Sequence, residues 1–195
     1  MATTTKSNLV SIAVSKIIGD EVSDATYDGV LFKSVDRLSA INRARGDIYT
    51  EMLKTLGMRQ FLELYPEFIA TSDIAFTSSV ATKPAGVRRV LKAYYSAPPL
   101  IEVAPVELTL DAMYNTYSKW YSATYPVMVE YSDSGTNKLK VIGATITGNI
   151  SVLYLLDLID LGGHDSSYAD MVEPYSWLNL VIQGAVQYLL NTKQI

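Results

Sequence analysis

The only histidine of this 195-residue chain, His164, lies in the run Gly162-Gly163-His164-Asp165-Ser166-Ser167, so a base, an acid and two hydroxyls stand side by side. Ser-His-Asp catalysis draws its three groups from separate elements, with the serine commonly raised on a Gly-x-Ser-x-Gly turn. This sequence has no such turn, and neighbours within one loop do not make that site. Around the same loop stand Asp157, Asp160, Asp165, Asp170 and Glu173, hard oxygen donors of the kind calcium and magnesium take. Their spacing does not follow Asp-x-Asp-x-Asp-Gly, so solvated loop acids are expected. A metal-dependent enzyme using residues 157–173 is the alternative. Neither Gly-x-x-x-x-Gly-Lys nor Gly-x-Gly-x-x-Gly occurs, which leaves no phosphate cradle. The absence of cysteine excludes disulfides, thiolate zinc sites, iron–sulfur clusters and a cysteine nucleophile. We therefore expect no catalytic residue, no metal, no cofactor and no enzyme.

What remains is chemistry of contact. Fourteen tyrosines and two tryptophans suit either large protein–protein interfaces or well-filled cores. From Pro174 to Thr192 no residue is charged, a length close to a membrane span. Ser176, Asn179, Gln183, Gln187 and Asn191 recur along it, however, and such a stripe is costly in lipid, so no membrane helix is expected. Arg45-Gly46-Asp47 spells an adhesion tripeptide, but it falls inside a helical pattern rather than on a loop tip. Because glycine in a helix costs about 1 kcal/mol against alanine, Gly46 is expected to mark a close-packing position. The net charge of −4 argues against a protein that grips nucleic acid through its phosphates. Residues 1–97 hold twelve Lys/Arg and ten Asp/Glu, whereas residues 98–195 hold four and ten. Such polarity suits copies that align with one another, or chance.

The elements that must position these groups follow from periodicity. Between Ser34 and Gly57, Val35, Leu38, Ile41, Ile48, Met52 and Leu56 recur at helical spacing, with Ser34 as N-cap and Gly57 as stop. Tyr175 to Asn191 is a second helix, with Leu178, Val181, Ile182, Ala185 and Leu189 on one stripe and uncharged amides opposite. Shorter helices are expected at Ser7–Ile18 and Leu110–Tyr121. Strands are expected at 87–94, Val127–Tyr131, Leu139–Ile142 and Ile150–Leu156, with a hairpin turn at Ser132–Asn137. Pro98-Pro99 and Pro105 mark a loop. The fold class is α+β, with terminal helices packed around a small antiparallel sheet or hairpin. One domain spans residues 1–195, with helical parts at about 7–65 and 174–192 and a β-rich part at about 66–160. The segment Leu9–Ile18 lacks the clean apolar run of a signal peptide, so synthesis in the cytoplasm is expected.

The order of these segments resembles a known family. Leu38-Ser-Ala-Ile41-Asn42-Arg43-Ala44 is similar to the leucine-x-x-isoleucine-asparagine-x-alanine helix of the head-to-tail adaptor (connector) proteins of tailed bacteriophages, short-tailed type. Pro84-Ala85-Gly86-Val87-Arg88-Arg89-Val90 resembles that family's lead into its first long strand. Leu110–Tyr121 with Trp120, then Tyr125-Pro126 and the hairpin 127–142, resemble its β-part, and Glu173-Pro174-Tyr175 resembles the start of its closing helix. The likeness covers about residues 30–190. Gly143-Ala144 stands where the family usually has a proline. The resemblance implies a virion protein at the head–tail junction, assembled in the host cytoplasm. Copies would form a ring, commonly dodecameric, that binds the portal protein, docks tail nozzle or tube proteins and extends a channel through which double-stranded DNA passes unbound. A tail-completion or other tail ring protein is the structural alternative. An uncharged helix face suits a neighbour or the portal, so the interface is assigned to Asn179, Gln183 and Gln187 with Trp177, Tyr188, Arg43 and Arg45.

Overall fold

The computed structural model describes residues 5–19, 34–95, 101–106, 123–161 and 171–192. They form three α-helices and eight β-strands, an α+β architecture as the element pattern predicts. The chain divides into two compact units, 1–68 with 158–195 and 69–157. Sequence patterning places the helical and β-rich parts with nearly these boundaries but joins them in one domain, whereas each unit has its own buried core.

In the helical unit, α1 (Lys6–Ile18) begins at Thr5, whose Oγ1 accepts the Asn8 N–H at 3.4 Å, and ends at Gly19 with φ 78°. Its inner side alternates Ser7, Ser11 and Ser15 with Val10, Val14 and Ile18, all buried. Small side chains at that spacing let neighbouring helices approach closely. Helix α2 (Ser34–Leu64) contains the expected break at Gly57 (φ 72°, ψ 160°), a conformation essentially reserved for glycine. Helical geometry resumes over 58–64, so the glycine kinks the element rather than ending it. A 3-10 turn, Tyr175–Trp177, leads into α3 (Leu178–Thr192). The core joins Val10 and Val14 of α1, Ile41 and Ala44 of α2, and Val181, Ala185 and Leu189 of α3. Each such fully buried Val or Leu contributes about 1.5–3 kcal/mol. Beside it, Tyr49, Phe61, Phe68 and Trp177 cluster with ring centroids 5.1–6.2 Å apart, tilted or edge-on as aromatic quadrupoles prefer.

The β unit is larger than the single small antiparallel sheet expected. Its strands are β1 (Ile69–Phe76), β2 (Val80–Thr82), β3 (Val87–Tyr95), β4 (Ile101–Glu102), β5 (Ala104–Val106), β6 (Val127–Asp133), β7 (Thr136–Ile142) and β8 (Gly148–Leu156). They form two four-stranded sheets, β1-β8-β3-β4 and β2-β7-β6-β5, antiparallel throughout except for the parallel pair β5–β6. The chain passes between the sheets four times, and two of the crossings are short. One of these is at Val103, whose N–H donates to the Ala93 carbonyl, and another is the tight turn Thr77–Val80. The core holds Ile74, Val90, Ala93, Ile150 and Val152 from the first sheet with Ala81, Met128, Leu139 and Val141 from the second.

The turns explain the registers. Ser134 (φ 51°) and Gly135 (φ 79°) form the predicted hairpin turn, both with the positive φ that a type I′ turn demands. Ser78 (φ 47°) and Ser79 (φ 67°) repeat it between β1 and β2, without a glycine. Ser79 is buried and fully employed. Its Oγ donates to the Ala144 carbonyl and accepts the Ile146 N–H, both at 2.8 Å, while its carbonyl accepts the Val141 N–H. Strand β7 ends at Ile142 because Gly143 adopts φ 100°, which proline with its fixed negative φ cannot reach. Pro105, expected in a loop, lies in β5, where the edge position of that strand tolerates a residue without N–H. Strands β1, β2, β4 and β5 were not expected. Helix Leu110–Tyr121 and Pro98-Pro99 lie outside the described residues.

Candidate interaction surface

The surface rests on α3 and the part of α2 packed against it. At 3.6 residues per turn, Val181, Ala185 and Leu189 point inward, leaving Asn179, Leu180, Gln183, Gln187, Leu190 and Asn191 exposed on the opposite side. The three amides assigned from sequence thus share one outer face, and two exposed leucines stand among them. Ile182, expected on the buried stripe, is only half-buried. Freely solvated helix faces usually carry charge; this one carries none.

Two assigned residues do not belong to the surface. Trp177 is 1% exposed, with its ring 5.0 Å from that of Tyr65 and 5.3 Å from that of Phe68, so it fills the aromatic core. Arg45 is 3% exposed because its guanidinium is spent inside the unit. Its Nε donates to Oε1 of the fully buried Glu173, Nη2 donates to Oε2 at 3.3 Å, and Nη1 donates to the Ile159 carbonyl at 3.1 Å and to Asn42 Oδ1 at 3.0 Å. A buried charge is tolerable only when paired and hydrogen-bonded in this way.

Arg43 and Tyr188 are at the surface. The Arg43 guanidinium lies 4.4 Å from the centroid of the Tyr188 ring, a cation–π contact, while the Tyr188 hydroxyl donates to the Asp47 carboxylate. That hydrogen bond, reinforced by desolvation and the Asp47 charge, raises the phenol above its ordinary value of 10.0. Arg45-Gly46-Asp47 is consequently no adhesion loop, since its arginine points into the core and its aspartate meets Tyr188. Nor is Gly46 a close-packing position, for a Cβ there would meet nothing within 4 Å. The close approach is at Gly184, where a Cβ would lie 3.0 Å from that of Ala44.

Asn42, from the segment that carries the family likeness, has a definite task. Its Nδ2 donates to the Leu161 carbonyl at 3.1 Å and its Oδ1 accepts the Leu161 N–H at 2.9 Å. Asn42 and Arg45, one helical turn apart, therefore hold residues 159–161 and Glu173 on α2. Lys6 adds a third tie, donating to the Glu173 carbonyl at 2.9 Å with its ammonium 5.5 Å from the Tyr175 ring centroid. The roles of Glu173, Asp47 and Gly184 were not read from sequence. One signal was available: Asn42 and Arg45 are polar residues on the helix side that buries Ile41 and Ala44.

Of the loop acids, Asp157 pairs with Arg88 at 3.6 Å and Asp160 is exposed, whereas Glu173 is committed to Arg45. His164, Asp165 and Asp170 lie outside the described residues. Among the described residues no three His, Asp or Glu side chains converge as a metal site, and no helix is long and apolar enough to cross a membrane. No protein-family model matches the chain, and no match was found among curated proteins.

Proposed function

We propose that this chain is a subunit of the head-to-tail adaptor ring of a short-tailed bacteriophage, seated between the portal and the tail. The observation that carries this reading is the outer face of α3, where Asn179, Gln183 and Gln187 alternate with exposed Leu180 and Leu190 and no charge intervenes. A ring of identical subunits needs a surface that meets a different surface on the next protein around an axis. An amide-and-leucine face is suited to that, because amides pair across an interface without the desolvation cost of ions. The net charge of −4 supports a channel wall that repels DNA rather than holding it. The order of sequence motifs over residues 30–190, which resembles that of this family, supports the reading.

The decisive experiment mixes the purified chain with the portal protein of the same genome and records native mass. A cooperative gain of many 21.5 kDa units is the expected result and also gives the stoichiometry. Binding to tail components without binding to portal would instead favour a tail-completion ring. Gln183→Glu, which places a charge at the centre of the α3 face, is expected to abolish assembly while leaving the thermal melt of the isolated chain unchanged. Assembly of that variant at parental yield would remove α3 from the interface.

A further inference from the structure

Helix α3 has two faces that could be buried. The stripe actually inside is Leu178, Val181, Ala185 and Leu189, of which Ala185 is small. One step around the helix, Ile182 and Val186 with the same Leu178 and Leu189 form a bulkier stripe, yet Ile182 and Val186 pack only at the margin of that core and stay half-buried. Hydrophobic burial is non-directional and does not by itself select the observed rotation. Something else turns the helix so that Asn179, Gln183 and Gln187 face outward.

We infer that Arg45 and Asp47 of α2 set the rotation of α3, acting as positioning residues for its amide face. Arg45 grips the approach to α3 through the buried carboxylate of Glu173, five residues before the helix begins. Asp47 grips the far end through the Tyr188 hydroxyl, with Arg43 over the same ring. Between the two grips, Gly184 admits Ala44 at van der Waals contact, which no larger residue at 184 allows without a shift. Rotating α3 to bury Ile182 and Val186 would carry Tyr188 away from Asp47 and Gly184 away from Ala44, and would strain the path from Glu173. Polar groups thus specify an arrangement that apolar burial leaves degenerate, a role attested for buried polar residues elsewhere. The consequence for assembly rests on the adaptor proposal; the rotation does not.

The chain lacks cysteine, so single cysteines report the rotation directly. Val181→Cys should be labelled by a thiol reagent about tenfold or more slowly than Val186→Cys, since the first site is closed and the second partly open. Each probe is then combined with Arg45→Met, Glu173→Leu and Asp47→Ala together, which removes both grips without leaving a buried charge. The inference expects a folded, cooperatively melting protein in which that ratio falls towards one. Restoring both grips by the charge exchange Arg45→Glu with Glu173→Arg, Asp47 kept, should recover the ratio in part. A folded triple variant with the parental labelling ratio would overturn the inference. So would a triple variant that fails to fold, because the grips would then serve stability rather than rotation. Neither labelling result depends on portal binding, so the adaptor proposal can fail without affecting it.

Discussion

The helical unit and the β unit reach a unique arrangement by different means. In the β unit, backbone pairing does the specifying: β1 meets β8 over eight consecutive residue pairs, and two tight turns with positive φ at 78–79 and 134–135 set where the strands start. Side chains there mainly fill space between the sheets. In the helical unit each α-helix makes its backbone bonds along its own length, so that ladder is indifferent to how one helix is rotated against the next. Specification passes to side chains, namely the Arg45–Glu173 pair, the Asn42–Leu161 clasp, the Tyr188–Asp47 bond and the Gly184–Ala44 contact. A sheet is ordered by its turns, and a helix bundle by its exceptions to hydrophobicity.

That contrast can be broken most severely at Glu173. Glu173→Ala strands the Arg45 guanidinium in the core and should cost about 3–5 kcal/mol, read as a lower urea midpoint. In the β unit the corresponding test is Ser79→Ala, which keeps a Cβ at φ 67° but deprives the Ala144 carbonyl and the Ile146 N–H of their partner. About 1–3 kcal/mol is expected from the same measurement. A loss at Ser79 larger than that at Glu173 would reverse the contrast.

A smaller effect concerns alkaline pH. Because the Tyr188 phenol is raised above 10.0, the fold favours its neutral form; that contribution is complete below the unfolded value and lost as pH rises through the folded one. Thermal melts between about pH 9 and pH 11 should therefore decline less steeply for Tyr188→Phe than for the parent chain. The smallest effect belongs to Arg59, whose bond to Glu63 at 3.0 Å joins two exposed side chains one turn apart. Arg59→Ala should shift stability by no more than about 0.5 kcal/mol, which sharpens the distinction between a buried polar grip and a solvated pair.

Several elements were legible in the sequence because their signals are local. Helical periodicity located α1, α3 and the first part of α2, positive-φ chemistry located the 132–137 turn, and β-branched runs located β3, β6, β7 and β8. Strand β1 was not legible, since Ile69-Ala-Thr-Ser-Asp-Ile-Ala-Phe mixes the poor strand formers Ala, Ser and Asp among its better ones without a regular alternation, and it is held by its pairing with β8. The amides of the candidate surface were placed outward correctly, as their burial would have cost most. Trp177 and Arg45 were misplaced for a common reason: a large aromatic ring and a guanidinium are each suited to an interface or to a core, and only the presence of Phe61 and Phe68, or of Glu173, distinguishes the two.

By itself the sequence determined α1, α3 and the first part of α2, the strands β3, β6, β7 and β8, that helical geometry breaks at Gly57, and that the last helix has an uncharged face, because all of these follow from spacing along the chain. The tertiary structure decided which polar residues are spent internally, which glycine admits a neighbouring helix, how eight strands divide between two sheets and how α3 is turned. Those outcomes depend on partners distant in sequence, 128 positions apart for Arg45 and Glu173, and no local pattern encodes the partner.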